Sequence, residues 1–138
     1  GLGAFHNKKR MYVSKRAKMQ ECVMATGFAY MKGAPLKLAI ERFRHVSMKS
    51  RAVRRPGAAA LDLAYLAMGV YDGFWERDLN SWDICAGTIL VREAGGLISN
   101  FDNGPLVLAD KEILGSNGII HDHMVDILHA GLAAFQRD

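Results

Sequence analysis

Apolar positions along the chain change period several times, and each change predicts an element. Residues 11–14 alternate in the manner of a short strand, and residues 22–26 read as a second, buried strand stopped by Gly27. Leu36, Ala39, Ile40, Phe43 and Val46 then recur at helical spacing with lysine and arginine between them, the pattern of an amphipathic surface helix. Residues 51–55 are extended and basic, since Pro56 biases Arg55 away from helical angles. An apolar helix over 58–68 follows, opened by Gly57 and closed by Gly69. Next come a strand at 72–76, a helix at 82–94 with Ser81 as its N-cap candidate, and a strand at 97–99 beyond Gly95-Gly96. Asn103-Gly104-Pro105 is a turn, 113–116 a short strand, and 121–135 a terminal helix with Met124, Ile127, Leu128 and Leu132 on one face. Residues 1–5 form a glycine-punctuated lead-in and 15–19 a basic connector. Helices alternating with strands predict an α/β layered sandwich, a mixed β-sheet flanked by α-helices, without internal repeats.

Composition narrows this picture. The 138 residues make one domain with an ample core, 50% of them hydrophobic and 23% charged. No apolar run reaches membrane-spanning length and residues 1–18 lack the apolar stretch of a signal peptide, so a cytoplasmic protein without membrane contact is expected. Cys22 and Cys85 lie in apolar surroundings and read as buried free thiols. The net charge of +4 suits an anionic substrate or nucleic acid, but its excess sits in residues 8–18 and 42–55, where solvated basic faces are the default. Because the first residue is Gly and not Met, the chain is expected to begin inside a longer protein.

Candidate chemistry concentrates around Asp83, in the first turn of the helix over 82–94. The N–H groups and dipole of a helix start keep a carboxylate ionised and oriented, which serves either to cap the helix or to hold a hard divalent cation. The helix behind it has almost no polar residues from Ile84 to Val91, so burial all round is expected, and a carboxylate at its head needs a partner. Glu76, at the end of the preceding strand, can face the same crevice. The small residues Gly57, Ala58 and Ala59 let a group approach the N–H donors of their helix, or serve only close packing. Arg51, Arg54 and Arg55 before that turn suit an anion pocket or a subunit interface equally. His121 and His123, two apart on a helix, share no face and read as no metal site.

Trp82-Asp83 with Glu93-Ala94-Gly95-Gly96, Tyr71-Asp72-Gly73-Phe74-Trp75-Glu76, and the run from Gly57 to Tyr65 closely resemble the C-terminal signature of the inositol monophosphatase family. Gly1-Leu2-Gly3-Ala4-Phe5-His6-Asn7 resembles that family's Gly-x-Gly-Ala-Phe-x-Asn segment, so the likeness covers essentially the whole chain. The resemblance implies the C-terminal half of the family's fold, with residues 1–10 a remnant of the N-terminal domain or linker and 11–138 the C-terminal α/β domain. It implies magnesium-dependent, lithium-inhibited hydrolysis of a small sugar or cyclitol phosphate, above all inositol 1-phosphate. By the same resemblance Asp83 is a catalytic metal ligand that also lies near the substrate, Glu76 bonds substrate hydroxyls, and the backbone at Gly57, Ala58 and Ala59 lines the substrate pocket. Ala58 stands where many members carry Thr or Ser, so a backbone contact is what carries over. The family's Asp-Pro-x-Asp-Gly-Thr motif does not occur here, so the chain is expected to carry half a site and to be nearly inactive alone. The resemblance also implies a possible homodimer and, as the alternative function, a binding module contacting RNA or the transcription machinery.

Overall fold

The computed structural model describes residues 1–28 and 30–137. A two-residue hairpin comes first, β1 (Phe5–His6) against β2 (Lys9–Arg10), antiparallel and turned through Asn7 and Lys8 at positive φ. β3 (Val23–Thr26), α1 (Gly33–Lys49), β4 (Ala52–Arg54), α2 (Ala59–Ala67), β5 (Gly73–Arg77), α3 (Ser81–Glu93), β6 (Leu97–Ser99), β7 (Glu112–Ser116) and α4 (His121–Phe135) complete the chain. The main sheet runs β4-β3-β5-β7-β6, with β4, β3 and β5 parallel and β7 and β6 antiparallel to their neighbours. This is the expected mixed sheet flanked by helices.

Alternation along each strand divides the core in two. Ala25, Phe74 and Ile113 point to one face, where Leu63 and Leu66 of α2 and Ile84 and Val91 of α3 cover them. Met24, Trp75 and Leu114 point to the other, beneath Val46 of α1 and Met124 and Leu128 of α4. Asp72 ties the basic connector to this body. Its buried carboxylate accepts from the Ser14 hydroxyl, from Arg16 Nη1 at 3.0 Å and from the Val23 N–H at 2.7 Å.

Five expectations need correction. Residues 11–14 form no strand: Met11 is buried because its N–H reaches the Ala4 carbonyl below the hairpin, and Val13 bonds the end of α3 at Ala94. α3 is not covered all round, because it is apolar on every side but has neighbours on one. Ile84, Gly87, Thr88 and Val91 are buried, while Trp82 is 77% and Ile89 62% exposed. Cys85 lies on that open side and is exposed, so only Cys22 is a buried thiol. The residue that precedes and caps α3 is Asn80, with Ser81 inside the first turn. On α1 the buried face passes over Arg42 and Val46, and Ile40 is exposed.

Candidate active site

Strand register places Trp75 opposite Thr26, so Glu76 comes beside Gly27 as β3 ends. The Glu76 side chain lies over that glycine, and a Cβ at position 27 would run into its carboxyl group. Gly27 therefore both terminates β3 and makes room for Glu76. Glu76 is 8% exposed, and its carboxyl group makes no hydrogen bond among the described residues. Burial is the main cause that pushes its carboxyl up to about 7; the Asp62 charge adds to this, Arg55 opposes it, and Asp83 adds a smaller push.

Those influences place three elements around Glu76. Asp62 comes from α2 and is buried, with neither carboxylate oxygen hydrogen-bonded, and desolvation raises it to about 6. Arg55, just after β4, lays its guanidinium over the Phe28 ring at 5.3 Å and donates to the Phe28 carbonyl at 3.2 Å. Asp83 stands at the head of α3, where its Oδ2 accepts the Asn80 N–H at 2.9 Å. The capping role is thus present, and it fixes the carboxylate's orientation while engaging one of its two oxygens.

Gly57, at φ +90°, turns the chain into α2, and Ala58 precedes the helix with no side-chain cap bond. The first N–H groups of α2, at Ala59 and Ala60, lack intrahelical partners by construction and carry small side chains. Of the residues singled out from sequence, Glu76 and Asp83 are brought within electrostatic reach, and the Gly57 turn opens the helix that supplies Asp62. Arg54 and Arg51 remain on the exposed or half-exposed strand β4 and its approach. His121 sits buried between Ser99 and Ser116 hydroxyls at 2.8 Å each, away from any carboxylate cluster.

Sequence gives Asp62 no role, and Gly27 only that of a strand stop. Asp62 falls on an apolar helix where one polar residue ordinarily faces water, and only its spacing one turn after Ala58 connects it with the loop. Among the described residues no group of three or more His, Cys, Asp or Glu side chains could hold a metal ion. Asp83 offers a cation one hard oxygen donor; such a site needs further ligands. No helix among the described residues is long and apolar enough to cross a membrane.

The sequence model of the Inositol monophosphatase family matches residues 1–133. The inositol-1-monophosphatase of Synechocystis sp. is 40% identical over 136 residues, which are 99% of this chain and 47% of that protein. Nus factor SuhB of Pseudomonas aeruginosa is 40% identical over 119 residues, 85% of this chain and 44% of its own. The structure of inositol monophosphatase from Anabaena (Nostoc) sp. superposes with a TM-score of 0.88 at 40% identity, covering 94% of this chain and 52% of that one. The chain spans about half the length of the relatives it matches.

Proposed function

Given that the chain belongs to the inositol monophosphatase family, we propose that it forms one wall of a phosphatase site for a small polyol phosphate, with inositol 1-phosphate the foremost candidate. The observation that carries this reading is the buried Glu76 carboxyl, poised near neutrality and within the field of Asp83. A carboxyl group half protonated near pH 7 both donates and accepts, which is what adjacent hydroxyls of a polyol ask of a partner. The free N–H groups at the start of α2 suit phosphate oxygens, and the small Ala58 and Ala59 leave them reachable.

Asp83 would supply one protein ligand to magnesium, which takes one or two carboxylates together with water and phosphate oxygens. When bound, that ion would polarise the phosphoryl group and favour ionised water as the nucleophile. What this chain contributes is orientation: Asn80 holds Asp83, Gly27 seats Glu76, and Arg55 sets a positive charge beside it. In the overall hydrolysis water adds to phosphorus, the ester P–O bond breaks, and the departing alcohol takes a proton.

Phosphate release from inositol 1-phosphate with magnesium, measured on the protein encoded by the complete reading frame, tests the reading. We expect activity in the parent and a loss of at least about 100-fold in Asp83→Asn. Equal rates in the two would overturn the role of Asp83.

A relative at 40% identity carries the name Nus factor SuhB, which supports a second reading as a contact for RNA or transcription proteins. The exposed Lys15, Arg16 and Lys18 supply suitable charge. RNA titrations at rising salt decide it, and absence of binding even at low salt removes it.

A further inference from the structure

A cleft of about 310 Å³ lies between α1 and the end of the sheet, and Gly27 and Glu76 of the candidate active site form part of its lining. Its volume is at the lower end of what small-molecule pockets occupy. Phe28, Trp75, Phe101 and Phe135 form aromatic walls, and Ala34 and Ala39 of α1 keep its floor open. Into this apolar space comes Arg42, only 5% exposed. The side chain is trapped because α1 and α4 cross tightly at this point: a Cβ on Gly131 would sit 2.9 Å from the Arg42 Cα.

Arg42 is incompletely matched by the protein. Its Nε reaches the Leu128 carbonyl at 3.4 Å, and its guanidinium carbon stands 4.8 Å from the centre of the Phe101 ring. Among the described residues it forms no ion pair; the nearby Glu112 is engaged by Arg77 at 3.4 Å. A guanidinium buried among aromatic rings with no direct ion pair is costly even with Glu112 and Asp102 in its field, and an anion delivered to the cleft would offset that cost.

We propose that this cleft binds a small organic monocarboxylate with an apolar body, its carboxylate paired with Arg42 and its body against Trp75, Phe101 and Phe135. A single negative charge is favoured over phosphate for two reasons. One fork of donors matches one carboxylate, and the carboxyl groups of Asp78 and Glu76 in the lining repel a dianion more strongly than a monoanion. Burial, and then the charge of Arg77, work against the cation of Arg42, while Glu112 and Asp102 oppose them; a ligand carboxylate would add to that opposition. The cleft adjoins the candidate active site through Gly27, Phe28 and Glu76, but the proposal rests on Arg42 and the aromatic walls and not on the phosphatase reading.

The test uses the 138-residue chain with Trp82→Phe, which leaves Trp75 in the cleft as the sole indole. Titration with 3-phenylpropionate, followed by Trp75 fluorescence, is compared with 3-phenylpropan-1-ol, which keeps the body and lacks the charge. We expect saturable binding of the acid and at least about tenfold weaker binding of the alcohol. Arg42→Leu should weaken the acid at least about tenfold, and Ala39→Leu, which fills the space and keeps the charge, should do the same. If Arg42→Leu fails to fold, Ala39→Leu and the acid-to-alcohol ratio decide alone. Failure of the acid to saturate, an alcohol that binds as tightly, or displacement of the acid by an equal concentration of inorganic phosphate overturns the proposal.

Discussion

Asp62 on α2 and Glu76 at the end of β5 lie within electrostatic reach of one another, two buried carboxyl groups without a hydrogen-bond partner among the described residues. Each is expensive to ionise where it stands, and the charge of Asp62 adds to what burial does to Glu76. The pair is an acidic couple held back from ionising, placed next to the loop that opens α2.

The first prediction concerns this couple. Replacing Asp62 by Asn removes its charge and leaves burial, so the Glu76 carboxyl should titrate below about 7, by at least about half a unit, while staying above the ordinary glutamate value. Carboxyl-carbon NMR of labelled glutamate follows this directly. The stability consequence has a definite sign. Both groups bind protons more tightly folded than unfolded, so folding stability falls as pH rises from about 4 to about 7. Urea denaturation across that window should show a shallower fall in Asp62→Asn than in the parent.

How much of this was legible beforehand depended on whether a residue's neighbours are near in sequence. Strands β3 and β5 and helices α2 and α3 stand out because Gly27, Gly69 and Gly95-Gly96 bracket apolar runs. The β1 and β2 hairpin does not, since two-residue strands at Phe5–His6 and Lys9–Arg10 carry no period. The alternation at residues 11–14 arose from Met11 tucking under Ala4, a packing event that only imitates a strand. Apolar composition in α3 says nothing about which side has a neighbour, so the exposure of Cys85 and Ile89 is not legible in it. Glu76 and Asp83 were found through their positions at a strand end and a helix start. Asp62 and Arg42 were not, because a polar residue within a helix reads as solvent-facing until the packing partner is known.

The second prediction follows from the seat of Glu76. Gly27→Ala puts a methyl group into the Glu76 carboxyl, which must swing away. Overpacking of this kind costs about 1 to 3 kcal/mol. A fall in stability of that size by urea denaturation, together with a Glu76 titration moved down by its new access to water, is the expected result. A variant as stable as the parent with an unmoved Glu76 would contradict the geometry.

The third prediction uses His121. The Ser99 hydroxyl donates to the Asn100 carbonyl at 2.6 Å and therefore accepts from His121 Nε2–H, leaving Nδ1 to accept from Ser116. This arrangement suits the neutral ring, and burial accordingly holds the imidazole below its ordinary value. A group depressed in the folded state contributes stability that is complete above about pH 6.5 and is lost as pH falls through the folded value. His121→Gln, which keeps polar atoms between the two serines, should flatten the acid limb of the stability curve measured below pH 6.

The last prediction separates the two roles available to Asp83. As a cap, its Oδ2 needs only to accept the Asn80 N–H, and an asparagine at the same place accepts that bond through its carbonyl oxygen. As a cation ligand it must carry charge, which asparagine does not. Asp83→Asn should therefore leave thermal stability nearly unchanged, whereas Asp83→Ala should lose about 1 kcal/mol through the missing cap. If Asp83 also holds magnesium, calorimetric titration of the protein from the complete reading frame should show weakened magnesium binding in both variants alike. Weakening confined to Asp83→Ala would instead mean that the carboxylate only shapes the start of α3, and that the cation is held by other groups.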